Sequence, residues 1–319
     1  MSASSETRAL PSWARGLEAK IERDFVLGPL TTLKVGGPAD WYYPAESVDD
    51  LVRALTQVNQ ADIPVTLLGD GSNVLISDRG IRGVVIHNRA KEITRDGNSL
   101  FSESGALLSA LVERSRVESL TGLEFASGIY GSVGGAVYGN AGAYGKSMED
   151  ILLWIDVLTA DGNREKVTPD QMGFTYRKSR CREKRWVVLS CLVGLQPGEQ
   201  QAITDEINRI IGIRATKLPS DLPSAGSYFK NIEDPTAEHG KIPAGKLLEA
   251  VGAKSMRVGG AAVYEKHANV IVNAGGATAA DILKLAAQMR RAVRDEYGIE
   301  LHSEVRFLGE HQPDAEVES

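Results

Sequence analysis

The chain has 319 residues, enough for two or three domains, and its 42% hydrophobic and 24% charged content is that of an ordinary soluble globular protein. A net charge of −6 argues against broad nucleic-acid binding but leaves room for a local basic pocket around a small anion. The two cysteines, Cys181 and Cys191, make no CxxC and no metal-ligand cluster, so both are expected reduced, with Cys191 in the core and no bound metal. No signal peptide or membrane-spanning stretch is read in the chain, and a cytoplasmic protein is expected.

In chain order, Thr31–Asp40 leading into Trp41–Pro44 reads as a short strand, a turn and a second strand. Ser47 is a helix cap, and Val48, Leu51, Val52, Leu55 and Val58 share one helical face. Val65–Leu68 is a buried strand that empties into Gly69-Asp70-Gly71-Ser72-Asn73, followed by the apolar Val74–Ile76. This loop offers clustered backbone donors and is either a phosphate cradle or an ordinary turn. It lacks the Gly-Lys-Ser/Thr of a P-loop and the third glycine of a dinucleotide fingerprint. Gly83–His87 is a strand, Ile93–Ser102 a hairpin, and Gly105–Val117 a helix with Leu107, Leu108, Leu111 and Val112 inward.

The run Ser127–Gly145 then repeats glycine every few residues, interleaved with Ile129, Val133, Val137, Tyr138 and Tyr144, which favour burial. It reads as a buried loop along a phosphate-bearing cofactor or as a structural glycine turn. Ile151–Leu158 and Arg164–Val167 form a hairpin, Asp170–Arg185 is polar and basic, Trp186–Leu195 is a strand and Thr204–Arg214 a helix. A proline-rich boundary lies at Lys217–Pro223. Beyond it come a helix over Ile242–Val251, a buried strand over Asn269–Asn273, and a long helix opened by a Thr278/Asp281 capping box and ended by Gly298. Ile299–Leu308 is expected as a last strand, with Ile299, Leu301, Val305 and Phe307 on one face and Glu300, His302, Glu304 and Arg306 on the other. His87, His239, His267 and His302 are read as structural. The tail from Glu310 is acidic and expected to be disordered.

Two glycine-rich cradles suggest one cofactor with a pyrophosphate, gripped from both sides, in a flavin-binding fold other than the dinucleotide-binding one. Thr32–Asp40, Gly69–Asn73, the run to Gly145, Tyr176-Arg177-Lys178-Ser179, Ala225–Asn231 and Glu304-Val305-Arg306 occur in the order seen in the UDP-N-acetylenolpyruvoylglucosamine reductase family. The chain resembles that family over residues 25–309, in its shorter type, since the interval from Trp186 to Ser227 is too short for an extra substrate loop.

The resemblance implies an α+β fold of the vanillyl-alcohol oxidase and p-cresol methylhydroxylase type. Residues 1–24 would be an N-terminal extension, 25–90 and 91–212 two FAD-binding subdomains, 213–309 a substrate-binding domain and 310–319 a tail. It implies noncovalent FAD, since no His or Cys lies among Gly69–Asn73, with NADPH as hydride donor and a UDP-sugar enolpyruvate as substrate in peptidoglycan precursor synthesis. It places Arg177, Ser227 and Glu304 in catalysis: Arg177 on the substrate carboxylate, Ser227 as proton donor and Glu304 beside the developing enolate. Gly69, Asp70, Gly71, Ser72, Asn73, Gly128, Gly131, Gly134, Gly135, Asn140, Gly142, Ala143 and Arg214 are implied for the cofactor. Lys217, Lys230 and Asn231 are implied for the UDP part. The chain departs from the family at Tyr130, Ile232, Lys246 and His302-Ser303. The rivals are another substrate within the same superfamily and a nonenzymatic nucleotide-binding protein.

Overall fold

The computed structural model describes residues 10–237 and 240–310. The expectations for residues 1–9, His239 and the tail beyond Glu310 fall outside them. Three sheets organise the chain. The first holds β1 (Glu22–Val26), β2 (Pro38–Ala45), β3 (Val65–Leu68) and β5 (Ile81–Asn88) in the order β1-β2-β5-β3. Both β2 and β3 run parallel to β5, and β1 is an antiparallel edge.

Helix α1 (Val48–Gln60) links β2 to β3. The Ser47 hydroxyl accepts the Asp50 N–H at 3.2 Å, satisfying one of the free donors at the helix start. Val48, Leu51, Ala54, Leu55 and Val58 bury one face against Tyr43, Val84 and Ile86. Full burial of Leu51 is worth about 2 kcal/mol, and Leu51→Ala would cost about 3 kcal/mol through the cavity it leaves.

The second sheet is antiparallel, with β6 (Ile93–Asp96), β7 (Ser99–Glu103), β8 (Leu152–Leu158), β9 (Arg164–Val167) and β10 (Val187–Gly194) in the order β9-β8-β10-β7-β6. It packs with α2 (Leu108–Val117), α3 (Val133–Tyr138) and α4 (Gln200–Ala215) around a core that includes the free, fully buried Cys191. The third sheet orders β11 (Ser224–Ser227), β14 (Arg257–Val258), β15 (Ala261–Tyr264) and β16 (His267–Asn273) as β11-β16-β15-β14. A hairpin of β12 (Ile232–Glu233) and β13 (Lys241–Ile242), helix α5 (Ala244–Ala250) and the long α6 (Ala279–Tyr297) complete this part. The Thr278/Asp281 box caps α6, and Gly298 closes it at φ 67, a left-handed turn that suits glycine. The last strand, β17 (Arg306–Leu308), returns to pair in parallel with β4 (Val74–Ile76) beside the first sheet.

Several expectations are corrected. Thr31–Lys34 is not a strand. The Thr31 hydroxyl donates to the Gly28 carbonyl and accepts the Val35 N–H, and Lys34 sits at φ 56, so the segment closes into a turn, while the strand before it is β1. Leu107 is 46% exposed because it stands at the N-cap of α2, before the inward face begins. The glycine-rich run is not all loop: Ser132 caps α3 by accepting the Gly135 N–H at 3.2 Å. Tyr144 is exposed rather than buried. Only residues 306–308 of the expected last strand are strand. Before them the backbone of Glu304 donates to the Tyr228 carbonyl and the His302 carbonyl accepts from Lys230, so that stretch crosses an irregular segment.

Candidate active site

Tyr176 and Arg177 form the two-residue tip of a turn in which Thr175 and Lys178 exchange backbone hydrogen bonds at 3.0 and 3.2 Å. Arg177 takes a left-handed φ of 57, a conformation that costs an arginine on the order of 1 kcal/mol. The glycine-rich run holds this turn in place. Asn140 donates its side-chain amide to the Thr175 carbonyl, and the Ser179 hydroxyl donates to the Tyr138 carbonyl at 2.6 Å.

Arg177 Nε lies 2.9 Å from Glu304 Oε1, with both side chains partly buried. The two are paired by distance but not by direction. Nε–H is buried and has no aligned acceptor among the described residues. Burial pushes the Glu304 carboxyl above its usual range, against the pull of Arg177 and Lys230. Glu304 is fixed through its backbone: its N–H donates to the Tyr228 carbonyl at 2.8 Å, and its carbonyl accepts from the Asn73 side chain at 3.1 Å.

Ser227 ends β11 opposite Val270 and directly precedes Tyr228. Among the described residues no hydrogen bond joins its hydroxyl to Arg177 or Glu304. The buried Asn269 clamps the next residues, accepting from the Phe229 N–H at 2.9 Å and donating to the Phe229 carbonyl at 2.8 Å. This positioning role has a sequence signal in hindsight, an amide within the apolar strand Asn269–Val272.

The two glycine loops meet face to face. Ser72 donates to the Tyr130 carbonyl at 3.1 Å. A Cβ on Gly69 would stand 2.5 Å from Ser132 Oγ, one on Gly131 2.9 Å from Ser72 Oγ, and one on Gly134 2.7 Å from Ser104 Cβ. The glycines therefore let the backbones approach. Arg214 donates Nε–H to the Gly128 carbonyl at 2.9 Å, and burial lowers its pKa from the usual arginine range. Ser127 Oγ is buried here without a hydrogen-bond partner among the described residues. A cavity of about 150 Å³ opens beside the first loop, lined by Asp70, His87, Asn88, Arg89, Lys91, Gly105 and Leu107. Close glycine backbones, a half-buried cation and an orphaned hydroxyl are a donor set that fits a pyrophosphate-bearing cofactor.

Other expected site residues make contacts within the protein. Asn140 spends its oxygen on the Glu149 N–H and its amide on Thr175 and Glu149. Gly142 and Ala143 form a small ladder with Lys146 and Ser147. Asn231 Oδ1 accepts the Ala244 N–H at the start of α5. Lys230 lies close enough to Glu304 to lower its pKa. Lys217 is exposed, and its charge acts on His267. Of the departures, Tyr130 is 69% exposed, Ile232 pairs with Ile242, Lys246 is exposed, and Ser303 donates to the Val305 carbonyl. His87 is half-buried, and its Nδ1 lies 2.8 Å from the Tyr42 hydroxyl.

Residues 39–168 match the model of an FAD binding domain, and residues 218–308 match that of the UDP-N-acetylenolpyruvoylglucosamine reductase C-terminal domain. A UDP-N-acetylenolpyruvoylglucosamine reductase of Gloeobacter violaceus is 42% identical over 287 residues, 89% of this chain and 94% of the relative. One of Caldanaerobacter subterraneus is 39% identical over 281 residues, 88% of this chain and 91% of the relative. The crystal structure of UDP-N-acetylenolpyruvylglucosamine reductase from Thermus caldophilus superposes with a TM-score of 0.76 at 33% identity, covering 91% of this chain and 99% of that one. The α+β arrangement, the paired glycine loops and the match over nearly the whole length agree, and the chain belongs to the UDP-N-acetylenolpyruvoylglucosamine reductase family.

Proposed function

We propose that the protein reduces the enolpyruvyl double bond of UDP-N-acetylglucosamine enolpyruvate to yield UDP-N-acetylmuramate, with FAD as carrier and NADPH as hydride source, in cytoplasmic peptidoglycan precursor synthesis. The family membership supports the reaction and the flavin. Among the described residues no helix is long and apolar enough to cross a membrane. Two cofactor subdomains, 25–90 and 91–212, and a substrate unit, 213–309, are each built on one of the three sheets, with α4 spanning the join and with shared cores: Leu158 and Leu189 pack into the first, and Leu33, Val35 and Leu75 into the third.

The observation that carries the reading is the buried, uncommitted Nε–H of Arg177 held 2.9 Å from Glu304. FAD, when bound, supplies a two-electron carrier between the nicotinamide and the enolpyruvyl group. The backbone of Gly69–Asn73 and of Gly128–Gly135, with Arg214, would hold it. Arg177 receives the substrate carboxylate, to which a guanidinium offers parallel donors, and it stabilises the negative charge that spreads onto that carboxylate once hydride reaches the double bond. Glu304, its carboxyl pushed towards the protonated form, lies beside the guanidinium and faces the developing enolate with it. Ser227 delivers the proton to the adjacent carbon, completing the net addition of hydride and proton. Lys230 and Lys217 supply positive charge for the UDP part.

The test is anaerobic absorbance of the FAD-loaded protein, adding NADPH and then UDP-N-acetylglucosamine enolpyruvate. Bleaching followed by restored flavin colour is expected. Bleaching without restoration would leave a flavoprotein with a different acceptor. Failure to bind FAD would overturn the reading of both glycine loops.

A further inference from the structure

Ser227 and Glu304 come from distant segments of the chain, and the residue that joins them is Tyr228. It follows Ser227 directly. Its backbone carbonyl accepts the Glu304 N–H at 2.8 Å, and its own N–H donates to the Asn269 carbonyl of β16 at 2.7 Å. The distance from the serine to the carboxylate is therefore set through this one residue. The pairing continues beyond it: Phe229 bridges to Ser303, and the Lys230 N–H donates to the His302 carbonyl at 2.9 Å.

The Tyr228 side chain ties the same two segments a second time. Its ring is 5% exposed and stands edge-on to that of Phe229, with centroids 5.1 Å apart. The phenol lies within hydrogen-bonding reach of the Ser303 hydroxyl, and the charge of Arg290, on α6, acts on it. Ser303 gives its own proton to the Val305 carbonyl at 3.0 Å, which leaves its lone pairs to accept the phenol O–H. Burial pushes the phenol up to about 12, so it stays a donor. The Arg290 side chain is only 11% exposed. Its Nε–H has no aligned acceptor among the described residues, and Glu300 Oε1 stands 3.6 Å away. A phenol and a guanidinium are costly to enclose among apolar side chains. Here both are directed at residues 300–303, the segment that leads into Glu304. A position beside Ser227 that needed only bulk would be filled by phenylalanine, as position 229 is.

We propose that Tyr228 is a positioning residue for the reduction: its phenol, bound to Ser303 and backed by Arg290, fixes Glu304 against Ser227 so that charge stabilisation and proton delivery meet on one substrate. The inference rests on the roles given to Ser227 and Glu304 under Proposed function. Reduction of the flavin by NADPH uses neither residue, so the phenol acts on the second half-reaction alone.

The experiment is anaerobic stopped-flow absorbance of FAD-loaded wild type, Tyr228→Phe, Ser303→Ala and the double variant, in ordinary and in heavy water. Flavin content and melting temperature report folding. In Tyr228→Phe, bleaching by NADPH should stay within about twofold of wild type, while reoxidation by UDP-N-acetylglucosamine enolpyruvate should slow about tenfold with a larger solvent isotope effect, because proton delivery becomes the slower event. Ser303→Ala should do the same, and the double variant should be no slower than Tyr228→Phe, since the two hydroxyls act as a pair. A lower melting temperature with wild-type reoxidation and isotope effect would overturn the proposal and leave Tyr228 a packing residue. Equal slowing of both half-reactions would overturn it too, as a general disturbance of the site. If Tyr228→Phe does not load FAD, the same readings on Ser303→Ala decide. Wild type bleached by NADPH but not reoxidised would overturn the reading under Proposed function and this inference with it, a result separate from any difference among the variants.

Discussion

Asn73, the last residue of the first glycine loop, donates its side-chain amide to the backbone carbonyl of Glu304 at 3.1 Å. The Arg306 N–H returns the contact to the Asn73 carbonyl, also at 3.1 Å. The loop expected to cradle the cofactor and the segment carrying the buried carboxylate are therefore one hydrogen-bonded unit. A shift in either is felt by the other.

This linkage makes Asn73 a positioning residue for Glu304. Asn73→Ala should retain FAD, because its amide faces the Glu304 backbone, and should cost about 1 kcal/mol of stability. Reduction of the flavin by NADPH should be little changed, while reoxidation by the enolpyruvyl substrate should slow about tenfold, as for a misplaced catalytic group. Stopped-flow measurement of the two half-reactions checks it. Loss of FAD with failure of both half-reactions would instead make Asn73 a cofactor ligand.

Ser227→Ala separates proton delivery from hydride chemistry. NADPH should still bleach the flavin at a rate within about twofold of wild type. Reoxidation by substrate should fall by about 100-fold or more, the usual loss when a positioned proton donor is removed. Absorbance recovery at the flavin band reads both steps. Unimpaired reoxidation would take Ser227 out of the mechanism.

The fold was readable where its signals are local. The Ser47 cap, the Thr278/Asp281 box and Gly298 act within a few residues of themselves, so sequence alone places α1 and α6. Helix α3 was hidden because glycine disfavours helix. Tertiary contacts override that preference: Gly134 donates to the Ser104 carbonyl at 2.7 Å and Val133 to that of Ala106 at 2.8 Å. The alternation of Ile299–Phe307 was real as burial at Leu301 and Val305 but false as a continuous strand, since the partner backbone at Tyr228–Lys230 is irregular. The approach of Arg177 to Glu304 could be expected only from the resemblance, because nothing local joins two such distant segments.

Glu304 sets a pH dependence whose sign follows from its burial. Its pKa is raised in the folded protein, so folding favours the protonated form relative to the unfolded chain. That advantage is fully present below the unfolded value and is lost as pH rises through the folded one. Glu304→Gln keeps the shape and removes the buried charge. Its melting temperature should therefore equal or exceed that of wild type at pH 8, and the difference should shrink towards pH 5. Substrate reduction should fall at least about 100-fold at every pH if Glu304 acts at the enolate. Thermal melts and kinetics across this range check both parts. A variant markedly less stable at pH 8 than at pH 5, relative to wild type, would show that the Arg177 contact outweighs desolvation.

Asp50 gives the opposite sign. Burial alone would raise its pKa. Instead, Lys20 Nζ at 2.7 Å, the Tyr43 hydroxyl at 2.6 Å, an Arg53 guanidinium nitrogen at 2.7 Å and the Glu46 N–H at 3.1 Å hold the carboxylate ionised and set its pKa well below the usual range. Tyr43, pushed up to about 12, stays a donor throughout. Lys20 and Arg53 are partly exposed and can rehydrate, so Asp50→Asn should cost about 2 kcal/mol near neutral pH rather than the larger loss of a fully buried pair. The wild-type advantage should hold steady above the unfolded aspartate value, about 3.9, and then decline by up to about 1.4 kcal/mol per pH unit below it. Urea unfolding of both proteins from pH 7 to pH 3 measures the gap, which should narrow only at the acid end. A gap that stays constant to pH 3 would mean that Asp50 contributes through neutral hydrogen bonds rather than through its charge.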